Sequence, residues 1–334
     1  MKKFILEMLE CPICHQQLEW RIEIETEDEV EQAEAQCSGC KANYPVMDGI
    51  GIFLPPDLPR NDLWEQVDSQ LAIYLKSHPE DEKKLMNTSV ENLSPTDQYF
   101  RALVLDERGE YEEGKIIEEL ANENMYTSEY KTCWDSQVDY VIDRLKPGEG
   151  PIVDLASGRC YLVEKIVSQL GRQVVATDFS PSVLRRDREY FKILELDHLI
   201  SFLAFDARKT PFRDGVIENM TTNLGLPNIE EPGDLVSELN RVVGGTVLAI
   251  SHFFPAEDDL NRAIIEEAGI EAFVYKDSLL KHFSSSEWHV KLENVCVAKA
   301  LPTPESDIFD GARADGLPVA PTELEWCTVR AEKK

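Results

Sequence analysis

The chain has 334 residues, of which 43% are hydrophobic, so it is long enough for two or three units with a buried core. Its 63 acidic residues outnumber its 34 basic residues, which gives a formal net charge of -29. A surface with this charge repels phosphate groups, and it therefore disfavours binding to nucleic acid and to anionic membranes.

No apolar segment of the sequence reaches membrane-spanning length. Glu7 and Glu10 interrupt the first residues, where a secretory signal would carry an apolar core. We therefore expect the protein to stay in the cytoplasm. In that reducing compartment four cysteines are expected to pack as small hydrophobic side chains: Cys133, Cys160, Cys296 and Cys327.

Four other cysteines form two Cys-x-x-Cys pairs near the start of the chain. The pairs are Cys11 with Cys14 and Cys37 with Cys40. Each pair can form a tight turn that directs two thiolates at one tetrahedral zinc ion; two disulfides or four unrelated buried thiols are the alternatives. Because four protein ligands leave no open position for water, we expect the metal to stabilise the fold rather than to catalyse.

Changes in composition divide the chain into three predicted units. Residues 1–56 hold the cysteine pairs and end at a double proline. Residues 57–124 are rich in helix formers with apolar residues at helical spacing, which predicts a helical connector or lid. Residues 125–334 alternate short apolar runs with amphipathic segments. That alternation is typical of a doubly wound α/β domain with a mainly parallel sheet.

The first unit resembles a known zinc-ribbon family. Beside its cysteine pairs it carries Tyr-Pro-Val at 44–46 and Asp-Gly-Ile at 48–50. Together these elements are similar to the small zinc ribbons that activate tRNA and release-factor methyltransferases as separate subunits. Large-subunit rRNA guanine-N1 methyltransferases also begin with a zinc ribbon, but the chain resembles them less closely. Because this ribbon is acidic, we expect it to dock on the rest of its own chain rather than to bind nucleic acid independently.

The third unit predicts a nucleotide-type binding site at the ends of its first strands. An apolar run ends at Asp154, and the small residues at 156–158 separate it from an amphipathic helix at 161–170. Such a turn lets a ligand approach the backbone and the helix N-terminus. The next strand ends at Asp178, an acid placed to accept both hydroxyls of a ribose.

Further along, the chain departs from dinucleotide-binding proteins. Its loop after the first strand does not have the GxGxxG pattern. A third predicted strand at 199–205 leads to Asp-Ala at 206–207 and then to Pro-Phe at 211–212. The sequence Arg-Val-Val-Gly-Gly at 241–245 precedes a fifth predicted strand. In this order the elements resemble the class I S-adenosylmethionine-dependent methyltransferases, especially the branch that includes quinone C-methyltransferases. The resemblance spans about residues 125 to 300. It implies a seven-stranded sheet, S-adenosylmethionine as cofactor and methyl transfer as the activity.

The resemblance also implies which residues bind the cofactor. The 154–158 loop would hold the amino-acid end, Asp178 the ribose, and Asp206 with Ala207 the adenine. The full set is Asp154, Ala156, Ser157, Gly158, Asp178, Phe179, Asp206, Ala207 and Asn223. Ala156 and Cys160 stand where the family usually has glycine. No catalytic residue is predicted, because methyl transfer from a sulfonium needs alignment more than a strong base.

The methyl acceptor is expected to be a small molecule or a protein side chain. The segment 223–229 lacks the Asn/Asp-Pro-Pro-aromatic element that grips a planar nitrogen, and it resembles the matching segment of quinone methyltransferases. His252, after the fifth strand, would act as a base only for a hydroxyl acceptor, and a structural role is commoner. Three aromatic residues either close over the methionine end of the cofactor or fill a helix core: Tyr126, Tyr130 and Trp134.

Two other functions stay open. The first is methylation of rRNA or tRNA guided by the ribbon, for which the basic run of Arg185, Arg186, Arg188 and Lys192 offers a contact, although a solvated helix face explains that run more simply. The second is a methyltransferase-like scaffold without turnover.

Overall fold

One continuous sheet organises the chain. The computed structural model describes residues 1–55, 71, 73–284 and 286–333. The predicted boundary at residues 56 and 57 and the start of the predicted connector fall outside these ranges. The described strands are β1 (Leu18–Glu25), β2 (Val30–Cys37), β3 (Asn43–Met47), β4 (Ile50–Ile52), β5 (Ile152–Asp154), β6 (Val174–Asp178), β7 (Ile200–Ala204), β8 (Ile217–Asn223), β9 (Val243–Phe253), β10 (Trp288–Ala300) and β11 (Thr322–Lys333).

The carboxyl-terminal part of the sheet has the architecture that the resemblance implies. Its strand order is β7-β6-β5-β8-β9-β11-β10. The first five of these strands are parallel, β11 is antiparallel to β9, and β10 is antiparallel to β11. The expected seven-stranded, mainly parallel α/β sheet is therefore confirmed.

Helices pack on both faces of this sheet, where alternate strand residues belong to two separate core clusters. The described α-helices are α1 (Pro79–Asn87), α2 (Pro95–Glu107), α3 (Tyr111–Met125), α4 (Ser128–Leu145), α5 (Tyr161–Leu170), α6 (Pro181–Ile193), α7 (Pro232–Val242), α8 (Asp259–Ala268), α9 (Glu271–Val274) and α10 (Lys276–Ser284). Among the described residues, none of these helices is long and apolar enough to span a membrane.

Local sequence signals explain where several of these helices begin and end. Ser180 caps α6 by accepting a hydrogen bond from the Val183 amide, and Pro181 occupies the first turn. Gly171 ends α5 with a left-handed φ of 60°. The prediction that His252 follows the fifth strand of the domain is wrong, because that strand, β9, continues to Phe253 and includes His252.

The N-terminal ribbon extends the sheet at its β7 edge. β4 pairs in parallel with β7, with Ile50 opposite Phe202 and Ile52 opposite Ala204. The amide of Phe53 continues this pairing by donating to the Ala204 carbonyl. The ribbon thus covers an edge strand whose backbone groups would otherwise lack partners. It docks on the rest of its own chain, and the sheet gains four strands, β1 to β4.

Buried ion pairs reinforce this docking. The Arg188 guanidinium on α6 donates through Nη2 to Glu31 at 2.7 Å and to Glu29 at 3.3 Å. Glu29 also accepts from the Lys2 ammonium at 2.8 Å. Burial alone would raise the pKa of Glu29, but Lys2, the terminal amine and Arg188 lower it to about 2. Glu29 is therefore ionised at neutral pH and attracts Arg188 fully.

Replacing Arg188 with Met is expected to loosen the ribbon without unfolding the sheet. We expect a loss of about 1 to 2 kcal/mol, because Glu29 keeps Lys2 and Glu31 is partly solvated. Limited proteolysis and thermal unfolding would measure it. Arg185→Met is the matched control, since the Arg185 guanidinium is half-exposed and lies 3.8 Å from Asp48. Equal effects of the two substitutions would contradict this role of Arg188.

Candidate cofactor site

A cavity of about 630 Å³ opens at the carboxyl ends of the central strands. Ligands of doubly wound folds bind at this edge, where the strand order reverses on either side of β5. Eight of the nine predicted cofactor residues line the cavity: Ala156, Ser157, Gly158, Asp178, Phe179, Asp206, Ala207 and Asn223.

Asp154 is the ninth, and it lies beneath the cavity rather than on its wall. Its Oδ1 accepts a hydrogen bond from the Thr221 hydroxyl at 2.6 Å, which ties β5 to β8. Burial raises the pKa of Asp154 to about 7, although Thr221 and Ser157 oppose the shift. The contact of Asp154 with a cofactor therefore stays a prediction, whereas the structure shows that Asp154 links two strands of the sheet through Thr221.

The loop after β5 keeps the backbone shape that glycine would give it. Ala156, Gly158 and Cys160 all adopt left-handed φ angles, of 51°, 52° and 55°. For alanine and cysteine this conformation costs roughly 1 to 2 kcal/mol each. The Cys160 thiol is buried beside Asp187 and does not line the cavity. Both departures from glycine thus leave the cavity open.

Asp178 is held in a fixed orientation at the end of β6. Its Oδ2 accepts from the Gly158 amide at 3.1 Å, and its Oδ1 accepts from the Ser180 amide at 2.9 Å. The carboxylate also lines the cavity. Because each carboxylate oxygen can accept more than one hydrogen bond, both backbone contacts are compatible with bonds to ribose hydroxyls.

Asp206 has a partner that the sequence prediction did not include. The Arg208 guanidinium donates to it in a bidentate pair, from Nε to Oδ1 at 2.9 Å and from Nη2 to Oδ2 at 2.9 Å. Arg208 also lines the cavity. An adenine amino group at Asp206 would therefore share the carboxylate with Arg208.

The predicted aromatic cover separates into two groups. Trp134 lines the cavity, and its indole Nε1 donates to Asn223 at 3.1 Å. Tyr126 and Tyr130 stack on each other with ring centroids 4.8 Å apart, and Tyr130 meets Trp326 edge-on. Neither tyrosine lines the cavity. Of these three predicted residues, Trp134 is therefore the one placed to touch a ligand there.

His252 belongs to the aromatic cluster rather than to the cavity. Its ring centroid lies 4.9 Å from that of Trp326. Burial lowers the pKa of His252 to about 4, so the imidazole is neutral at physiological pH. This environment is that of a packed side chain.

Sequence reasoning missed a wall of the cavity that the hairpin of α2 and α3 supplies. Tyr99 lies on α2, and Lys115, Glu118 and Asn122 lie on α3. The three α3 residues share one helix face through their i, i+3 and i+7 spacing, which was the available signal. The cavity lining also includes the apolar side chains of Ile229, Ile270 and Phe273.

The ribbon cysteines form a second candidate site. All four Sγ atoms lie within 4.8 Å of one another. Cys11 and Cys40 are 3.6 Å apart, and Cys14 and Cys37 are 3.3 Å apart. Zinc–sulfur bonds of about 2.3 Å in a tetrahedron place sulfur atoms about 3.8 Å apart, so this donor set fits one zinc ion.

Two family models match the segments of the chain that hold these two candidate sites. Residues 2–49 match the family model described as Trm112p-like protein. Residues 153–249 match the model described as methyltransferase domain. The first match contains the four ribbon cysteines, and the second contains the cavity residues from β5 to β8.

Individual relatives match the same part of the chain. The ubiquinone/menaquinone biosynthesis C-methyltransferase UbiE of Yersinia enterocolitica is 29% identical over 116 residues, which are 34% of this chain and 46% of that relative. The chain thus spans about half the length of the curated relatives it matches.

Solved structures give similarly partial matches. A putative methyltransferase from Bacillus halodurans superposes with a TM-score of 0.45 at 17% identity, over 58% of this chain and 97% of that one. Geranyl diphosphate C-methyltransferase from Streptomyces coelicolor A3(2) superposes with a TM-score of 0.46 at 16% identity, over 67% of this chain and 81% of that one. Within one sheet, the chain therefore joins a segment that is similar to Trm112p-like proteins to a segment that is similar to methyltransferase domains.

Proposed function

We propose that this chain transfers a methyl group from S-adenosylmethionine to a small molecule or a protein side chain. The supporting observation is that eight predicted cofactor residues from four strand ends line one cavity. When bound, S-adenosylmethionine supplies a methyl group activated on a sulfonium. The 156–158 loop would hold its amino-acid end, Asp178 its ribose, and Asp206 with Ala207 its adenine.

The protein's part in this reaction is alignment and exclusion of water. Residues of the α2–α3 hairpin and residues of the α8–α9 turn both line the cavity. Trp134, fixed by its bond to Asn223, adds a flat apolar surface to the wall. Holding donor and acceptor in line is the main requirement of such a transfer.

A compact acceptor suits the apolar part of the lining, which includes Ile229, Ile270 and Phe273. Apolar side chains in a cleft favour acceptors that bury a hydrophobic or aromatic group. The curated relatives are named for quinone biosynthesis, which agrees with this chemistry.

The basic run on α6 supports a non-RNA acceptor, because its charges already face carboxylates. Arg188 is bound to Glu31 at 2.7 Å, and Arg185 and Arg186 lie within 4 Å of Asp48 and Asp187. Phosphate binding depends on cations that are available to the ligand. The three arginines are therefore poorly placed to offset a net charge of -29.

Filter binding with bulk tRNA and rRNA at moderate salt tests the acceptor class. We expect weak retention and no radiolabelled methyl transfer into either RNA. Formation of S-adenosylhomocysteine with an RNA-free cell extract is expected as well, since a scaffold would give none. Salt-dependent, tight RNA retention or labelled RNA would contradict the proposal, and so would the absence of turnover with every extract fraction.

The remaining predictions belong to the same proposal. Cys11, Cys14, Cys37 and Cys40 would bind one structural zinc ion. The units would be the ribbon at 1–56, the helical connector at 57–124 and the methyltransferase domain at 125–334. The protein would act in the cytoplasm, where its thiols stay reduced.

A further inference from the structure

The hairpin of α2 and α3 meets the cofactor loop at the wall of the cavity. Tyr99, Glu118 and Asn122 come from the hairpin, and Arg159 comes from the loop immediately after Gly158. No function considered so far uses these four side chains. Their position beside the 156–158 loop places them at the end of the cavity where an amino-acid group would lie.

Arg159 fastens the hairpin to the loop. Its Nη2 lies 2.6 Å from Oδ2 of Asp106 on α2, and its Nε contacts Oε1 of Glu118 on α3. Gly114 permits this arrangement, because a Cβ there would lie 2.5 Å from Oδ1 of Asp106. The two helices and the loop therefore share one buried ion-pair network, and the hairpin wall has a fixed position against the loop.

Part of the hydrogen-bonding capacity of this wall is unused. Oε2 of Glu118 and Nη1 of Arg159 are buried, and neither has a hydrogen-bond partner within the described residues. Lys115 Nζ is 3.6 Å from that Oε2, beyond hydrogen-bond distance. In the described part of the chain, the Tyr99 hydroxyl and the Asn122 amide also make no hydrogen bond, although both side chains line the cavity. Buried polar groups normally have partners, so the unpartnered atoms of Glu118 and Arg159 point to a ligand, while Tyr99 and Asn122 are half-buried beside them.

The charges of the wall define the ligand. Burial opposes ionisation of Glu118, but Arg159 and Lys115 outweigh it and lower the pKa of that carboxyl. Arg159 is a permanent cation. Arg159 already faces two carboxylates, those of Asp106 and Glu118, and Lys115 lies beside Glu118, so the network holds two anions and two cations. Its two unpartnered atoms, one on a carboxylate and one on a guanidinium, complement a ligand that carries both charges. An α-amino-acid group, with its ammonium and carboxylate on one carbon, has that form.

We propose that the α2–α3 hairpin completes the cofactor site by binding the α-amino-acid group of S-adenosylmethionine, with Glu118 on the ammonium and Arg159 on the carboxylate. Tyr99 and Asn122 add neutral hydrogen bonds. The inference rests on the proposed function, because it assigns the contacts of that cofactor. It gives the connector a role in binding as well as in linking two domains.

Calorimetry with two nucleosides tests this assignment on the full-length protein. S-adenosylhomocysteine carries the amino-acid group, whereas 5′-methylthioadenosine lacks it and keeps the adenosine and the sulfur. Glu118→Gln is expected to weaken S-adenosylhomocysteine binding about tenfold, the effect of losing a hydrogen bond to a charged group. Binding of 5′-methylthioadenosine should change by less than about twofold, since no lost contact reaches it.

Glu164→Gln is the matched control. Glu164 also lies near Lys115, at 3.7 Å, but it does not line the cavity, so both affinities should stay at the wild-type values. Retained 5′-methylthioadenosine binding shows that Glu118→Gln protein is folded. The inference is overturned if that variant binds both nucleosides as the wild type does, or loses both equally. Wild-type protein that binds neither nucleoside would instead remove the proposed function itself.

Discussion

Replacing Cys37 with Ser is expected to release zinc and to lower stability by at least about 3 kcal/mol, or roughly 6 to 12 °C in Tm. Cys37 is fully buried at the end of β2, and its Sγ lies 3.3 Å from that of Cys14 and accepts from the Cys40 amide. A structural metal contributes its binding free energy directly to folding, so one missing ligand affects the whole ribbon.

The loss of stability should extend beyond the ribbon, because buried side chains of the ribbon and of the carboxyl-terminal part of the sheet pack in one hydrophobic cluster. Tyr44 contacts the Cys11 thiol through its hydroxyl and stacks on Phe53, which follows β4 at the seam with β7. A loosened zinc site therefore disturbs the residues that hold the added strands in place. Calorimetric unfolding of Cys37→Ser protein is expected to begin at lower temperature and to lose cooperativity.

Cys327→Ser provides the control for this experiment. Cys327 is equally buried, in β11, but it belongs to no cluster of metal-binding side chains in the described chain. Its replacement should cost about 1 to 2 kcal/mol and leave the zinc content unchanged. Elemental analysis and differential scanning calorimetry give both readouts. Zinc-free wild-type protein, or equal Tm losses for the two variants, would contradict the structural-zinc assignment.

The sequence predicted those parts of the fold that depend on local patterns. Helix α5 matches the predicted range 161–170, because its apolar spacing and the terminal Gly171 are both local. Asp178 and Asp206 were placed at or next to strand ends for the same reason: apolar runs stop where a charge begins. Most of the predicted cofactor residues lie at or next to such strand ends.

Contacts between distant segments escaped sequence reasoning. The pairing of β4 with β7 joins residues about 150 positions apart, and nothing in Ile50 to Ile52 specifies that partner. The burial of Asp154 against Thr221 and the contact of Glu118 with Arg159 have the same origin. Spacing along one helix indicates a polar face, but only the tertiary fold determines what that face meets.

Asp178→Ala is expected to weaken S-adenosylhomocysteine binding by roughly 1.5 to 3 kcal/mol, which is about a 10- to 150-fold rise in Kd. The substitution removes the only carboxylate that the structure places at the end of β6 and on the cavity wall. Because the Gly158 and Ser180 amides also lose their acceptor, the loop should become less ordered and the apo protein somewhat less stable.

A matched variant separates loss of a ligand contact from loss of loop order. Asp187 is also a buried carboxyl beside the loop, near the Cys160 thiol, but it does not line the cavity. Asp187→Asn should therefore leave the affinity within about twofold of wild type even if it lowers the Tm. Titration calorimetry at one pH and salt concentration compares the three proteins. Wild-type affinity in Asp178→Ala, or an equal loss in Asp187→Asn, would show that Asp178 does not bind the ribose.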